Sequence, residues 1–204
     1  MENIVLIVLD SVGFGAMAKA RADNIKGLGE LHPARSHGPW TLPSMASISA
    51  GVLPWCVVEG CRHRRVLGSF IPKGLMAGAN FYGYTTNPWV QAYRLFPYKD
   101  LNTAGAVGDF LEKRKKPYRA LIHVMETHWG SYHNLPGRNW FEKQLRAIEN
   151  IDRILRPVLE LRDEATIIVT GDHSEVEPRT GTGHDPRERY DYRLYEVFIV
   201  SSDV

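Results

Sequence analysis

The chain has 204 residues, 44% of them hydrophobic and 24% charged, with a formal net charge of +2. This length and composition fit one globular domain, residues 1–204, with a substantial core. So small a net charge draws in neither nucleic acid nor a membrane surface, and no run of about 18 apolar residues is present, so no membrane partner is expected.

Residues 4–9 form a continuous Ile/Val/Leu run that suits a parallel strand buried on both faces. No basic segment or cleavage site accompanies it, and a cytoplasmic location is the expectation. Asp10 ends the run, followed by Ser11. Ligands of open α/β sheets gather at the carboxyl ends of strands, so Asp10 is a candidate metal ligand; a helix cap is the alternative. Residues 16–22 and 25–31 read as helical.

In the stretch 37–51, Thr41 stands two residues ahead of Pro43, a helix follows, and Gly51 can close it. Proline is tolerated in a first helical turn. Thr41 then lies at the helix entrance, near the positive end of the dipole. It is either an N-cap or a hydroxyl that loses its proton easily beside a docked anion.

Residues 53–73 read as irregular; Cys56 and Cys61 lie there at neither a zinc nor a redox spacing, and 62–65 as a solvated basic loop. Residues 74–79 suggest a short helix, 80–86 a strand, 102–116 a helix, and 120–125 a second buried strand. Residues 139–161 read as one amphipathic helix with Phe141, Leu145, Ile148, Ile151, Ile154, Leu155 and Leu159 on one side and a break point at Pro157. Residues 165–170 and 195–201 are further strands. Alternating strands and helices predict an α/β/α sandwich around a mainly parallel sheet.

Three of these strands run into metal-ligand chemistry. Asp10 follows the first; Glu126 and His128, with His133 close by, follow the second; Asp172 and His173 follow the third, with His184 in the loop beyond. Acids and imidazoles converging on one sheet edge suit a divalent transition metal such as zinc or manganese.

Taken together these segments resemble the alkaline phosphatase superfamily, on its sulfatase-like branch. The resemblance runs through the opening strand and Asp10, Pro39-Trp-Thr-Leu-Pro-Ser44, Tyr82-Gly-Tyr-Thr85, Thr127-His-Trp-Gly-Ser-Tyr132, Val169-Thr-Gly-Asp-His-Ser-Glu175, and Gly183-His184. It implies an alkaline-phosphatase-like sandwich in which Asp10, Thr41, Asp172 and His173 bind one metal. This set resembles that of lipoteichoic acid synthases and phosphoethanolamine transferases, with Thr41 as nucleophile. His128 and His184 would then hold substrate oxygens or protonate the leaving group, and His133 and Glu126 would join them in any second metal site. The implied substrate is a small anionic ester, handled by a phosphoesterase or phosphoryl-group transferase.

The chain also departs from the family pattern. Thr41 and Met45 replace the Cys/Ser and Arg of true sulfatases, so formylglycine formation and sulfate hydrolysis are not expected. Ser11 stands where a second acid is common. The sequence lacks the usual C-terminal subdomain, and an open site, or one covered by a second copy or partner chain, is the expectation. A non-catalytic binding protein and a divergent small-molecule biosynthetic enzyme are the alternatives.

Overall fold

The computed structural model describes residues 3–51, 80–93, 103–176 and 191–202. The three most continuous apolar runs become β1 (Asn3–Leu9), β4 (Tyr118–Val124) and β5 (Ala165–Gly171). β1 lies between the other two and parallel to both, with Leu9 in register with Val124 and Gly171. The three strands therefore stop at one level, and the residues that follow them meet at one edge.

β3 (Asn80–Thr85) extends the parallel set beyond β4. On the far side, β6 (Glu196–Ser201) runs antiparallel to β5, and β2 (His32–Arg35) antiparallel to β6. The sheet has six strands in the order β2-β6-β5-β1-β4-β3. It is mainly parallel, as the sequence predicts, but β6 reverses. The sequence between Gly171 and Glu196 carries no apolar helical repeat of the kind on which a parallel crossover is built. β2 escapes the sequence reading because it is a short edge strand, half-buried on alternate residues, with Pro33 tolerated at the sheet edge.

Partners in a parallel pair point to the same side, so the pleat sorts the strands into two faces. Val5, Ile7, Ile122 and Ile167 enter the larger core, under α1 (Phe14–Lys19), α2 (Asp23–Lys26), α5 (Ala106–Glu112) and α7 (Trp140–Leu159). Val8 and Leu121 face the opposite layer, with α3 (Thr41–Ala50) and α4 (Pro88–Tyr93).

Several helices are shorter than their sequence pattern. α2 is a single turn, fixed from outside: the buried Asp152 of α7 accepts the Ile25 N–H at 2.8 Å and Asn24 Nδ2 at 2.7 Å. α5 ends at Glu112, before the basic run begins. Pro157 does not split α7, because Val158 and Leu159 beyond it are buried and hold the last turn on the core. Ile154, expected on the core side, is 40% exposed; the buried stripe runs instead through Gln144, Ile148, Ile151, Asp152 and Leu155. α5 lies backbone-close on α7, and a Cβ at Gly108 would sit 2.6 Å from the Pro157 carbonyl oxygen.

Cys56, Cys61, residues 62–65, the helix expected over 74–79 and His184 lie outside the described residues. No helix among the described residues is long and apolar enough to cross a membrane.

Candidate active site

The turn after β1 is the mechanical centre of the site. Ser11 has φ 64°, a left-handed conformation uncommon for a residue with a side chain. That turn aims the Ser11 N–H at Asp172 Oδ1 (3.0 Å) and its Oγ at Asp10 Oδ1 (2.9 Å). Gln144 of α7, itself buried, donates to the Ser11 carbonyl at 2.9 Å. Thr127 donates its hydroxyl to the Asp10 carbonyl at 2.7 Å. The ends of β1, β4 and β5 are thereby tied together through Ser11 and Thr127. The residue standing in place of a second acid serves as a clamp on the first.

Asp10 and Asp172 are both fully buried. Asp172 Oδ1 also accepts the His173 N–H at 2.9 Å, while its Oδ2 has no hydrogen-bond partner. Asp10 Oδ2 accepts Asn87 Nδ2 at 2.8 Å and the Thr41 hydroxyl at 3.3 Å. Thr41 is 7% exposed and is the first residue of α3; Trp40 holds the N-cap position and makes no side-chain cap. The N-cap alternative for Thr41 is therefore corrected. Its hydroxyl points away from the helix backbone, toward Asp10 and, at 3.3 Å, His173 Nε2. Gly51, with φ 67°, closes α3 as the sequence predicts.

The tautomer of His173 follows from its partner. Nδ1 lies 2.8 Å from the Ser174 carbonyl, which can only accept, so Nδ1 carries a proton. In the neutral ring the lone pair is then on Nε2, 3.5 Å from Asp172 Oδ2 and 3.6 Å from Asp10 Oδ1. A lone pair facing two carboxylates is repulsive unless a cation lies among them. Burial alone would push the Asp172 carboxyl up. Positive charge on the His173 and His123 rings in their protonated form, with the Ser11 N–H, would outweigh it and hold that carboxyl below the usual range.

Asp10, His123 and Asp172 form a buried group whose donor atoms lie within 4.8 Å of one another, an arrangement able to hold a metal ion. Zinc bonds of about 2.0–2.1 Å at tetrahedral angles set neighbouring donors about 3.3 Å apart. The separations of Thr41 Oγ1 from Asp10 and His173, and of His173 Nε2 from Asp10 and Asp172, from 3.3 to 3.6 Å, fit that scale. Among the described residues, no lysine or arginine is paired with either carboxylate, so a divalent cation would balance the charge.

His123 and Asn87 were not singled out by the sequence reading. His123 sits inside β4, in register with Val8 and Thr85, on the α3 side of the sheet. The available signal was a titratable residue interrupting an apolar strand, one pleat from its end. Asn87 resembles an ordinary helix start: its Oδ1 accepts the Val90 N–H at 3.4 Å.

Thr127 apart, the residues after β4 make hydrogen bonds outside this buried group. Glu126 accepts the Thr86 hydroxyl at 3.0 Å. His128 caps α6 (Trp129–Tyr132), its Nδ1 accepting the Gly130 N–H at 3.0 Å. A backbone N–H can only donate, so the neutral His128 ring carries its proton on Nε2. His133 is exposed, with Nδ1 3.0 Å from the Gly130 carbonyl. Tyr132, fully buried, donates to Glu175 at 2.5 Å; burial and then that carboxylate push its hydroxyl far up.

No protein family and no curated protein matches the chain by sequence. Solved structures do match by shape. The periplasmic domain of a phosphoethanolamine transferase, EptC from Campylobacter jejuni, superposes with TM-score 0.65 at 10% identity, covering 100% of this chain and 80% of that one. The corresponding domain from Escherichia coli, in complex with zinc, gives 0.59 at 12% identity over 99% and 73%. A 2-O GAG sulfatase gives 0.59 at 12% identity over 98% and 64%. The fold is alkaline-phosphatase-like, of the sulfatase branch. Within this alkaline-phosphatase-like fold, Met45 is fully buried among Val8, Leu42 and Val90 under α3. It packs the helix that carries Thr41.

Proposed function

We propose that the chain is a metal-dependent enzyme of phosphate esters, a phosphoryl-group transferase or phosphoesterase, with Thr41 as nucleophile. The observation that carries this reading is the Thr41 hydroxyl: buried at the start of α3, within 3.3 Å of both an Asp10 carboxylate oxygen and His173 Nε2. Asp10, Thr41, Asp172 and His173 would hold the metal, zinc or manganese. A similar domain is named as a zinc complex, which favours zinc. When bound, the metal supplies Lewis-acid stabilisation of charge on oxygen and eases loss of the Thr41 proton.

The protein's own residues do the rest. The 3.3 Å contact to Asp10 Oδ2 fixes the Thr41 rotamer and gives its proton an acceptor. Thr41 Oγ1 forms a bond to phosphorus as the bond to the leaving oxygen breaks. His128 Nε2–H donates a hydrogen bond to that oxygen, which takes its proton from water. Water or an acceptor hydroxyl then attacks the phosphothreonine phosphorus and loses its proton to solvent, while the phosphorus–Oγ1 bond breaks and Oγ1 takes its proton back from Asp10. Ser11, Gln144 and Thr127 hold the two acids in place without touching substrate. Nothing stands at Met45 to bind a sulfate ester, since that side chain is turned into the core.

The test is hydrolysis of nitrophenyl phosphate monoesters, diesters and sulfates with zinc, manganese or magnesium, beside Thr41→Ala. The expected outcome is phosphate-ester turnover that vanishes in the variant, with an unchanged fold by circular dichroism and a phosphothreonine trapped in the wild type. Undiminished turnover in Thr41→Ala would overturn the assignment.

A further inference from the structure

We propose that His123 is a ligand of the same metal, so that two imidazoles and two carboxylates join the Thr41 hydroxyl in a site that selects zinc-like ions over magnesium and calcium. This rests on the metal-dependent reading above and adds a ligand and a selectivity to it.

His123 is fully buried, and its Nε2 has no hydrogen-bond partner. The nearest acceptors are Asp10 Oδ2 at 3.6 Å and Asp172 Oδ2 at 3.8 Å, and Asp172 Oδ2 is itself without a hydrogen-bond partner. Buried polar atoms are normally satisfied, so two facing orphans need an explanation. A permanently protonated His123 does not provide one. A buried imidazolium beside two carboxylates would close to a charge-assisted hydrogen bond of about 2.7–2.9 Å. The gaps are wider than that and have room for a shared cation.

The other side of the ring is fixed as a ligand requires. His123 Nδ1 lies 3.1 Å from Thr85 Oγ1, and that oxygen accepts the Asn87 N–H at 3.1 Å. Asn87 in turn donates to Asp10 Oδ2. One chain of contacts thus sets the ring plane and one carboxylate together, as partners of metal ligands do. Strand register fixes the depth: His123 pairs with Val8, two residues before Asp10, on the same face of the sheet. Ser11 turns its Oγ onto Asp10 Oδ1 as a donor, which orients that carboxylate. Imidazole nitrogen suits zinc and its transition-metal neighbours, whereas magnesium and calcium favour oxygen-only sets.

The experiment uses the full chain as wild type, His123→Ala and His123→Gln, each cleared of metal with chelator. Zinc affinity is read by competition with a chromophoric chelator, the ligand field by the visible absorption of bound cobalt, and folding by the melting temperature in chelator. The expected result is a loss of zinc affinity of at least about 10–100-fold in both variants, a changed cobalt spectrum, and a narrower preference of zinc over magnesium. Variants that melt like the wild type in chelator yet keep its zinc affinity and cobalt spectrum would overturn the role of His123 while leaving the metal-dependent reading intact. A wild type that binds neither zinc nor cobalt would overturn both. Should both variants fail to fold, histidine side-chain nitrogen NMR of the wild type decides. Zinc must move the Nε2 signals of both His123 and His173, and movement of His173 alone sinks the proposal.

Discussion

The floor of the site and its rim are built differently, although His123 and His128 are only five residues apart. On the floor, Asp10, His123, Asp172 and His173 are all fully buried, and strand register plus the Ser11 turn sets their positions. On the rim, His128 rides on a one-turn helix and His133 is exposed. Buried groups on aligned strand ends are pre-positioned before any ligand arrives, at the cost of packing two carboxylates together. The rim carries no such burden. The floor is therefore suited to a metal.

That contrast can be broken most directly on the floor. Asp172→Asn keeps an Oδ1 acceptor for the Ser11 and His173 N–H groups, so the turn should survive, but it removes the charge from the orphan Oδ2. Metal-dependent turnover should fall below detection and zinc affinity with it; equilibrium dialysis checks the second. On the rim, His128→Ala, which removes the Nε2–H donor, should lower kcat by about 10²–10³ while zinc affinity stays at the wild-type value. A loss of zinc in that variant would erase the distinction between floor and rim. The smallest effect is expected from His133→Ala, exposed and bonded only locally to Gly130. Its melting temperature should correspond to a change within about 0.5 kcal/mol, and turnover should stay within a few-fold. A large loss of turnover there would restore His133 to the catalytic machinery.

Much of this was legible before any coordinates. Continuous apolar runs mark β1, β4 and β5 because both faces of these strands are covered, so no alternation is needed. Asp10, Asp172 and His173 stood out because they follow such runs directly. Thr41 was readable from Pro43 and Gly51, residues whose backbone limits punctuate a helix. His123 was hidden for the converse reason: it lies within a run, where it reads as one more strand residue. Asn87, Thr85 and Gln144 were hidden because small polar residues and a lone glutamine occur throughout surfaces and turns. Only their neighbours from distant segments give them a task.

The sequence by itself therefore determined the layered α/β architecture and the residues at strand ends, since local periodicity and backbone preference act over a few positions. Tertiary structure alone decided the strand order β5-β1-β4, which sets Asp10 beside Asp172, and the reversal of β6. It also decided that Ser11 clamps an acid and that His123 faces the same cation-sized gap. Those outcomes depend on which strand pairs with which and on side-chain directions set by register, and they join residues more than one hundred positions apart, such as Ser11 and Asp172 with a separation of 161. Pairing over such distances is settled by packing the whole sheet, and no window of sequence contains it.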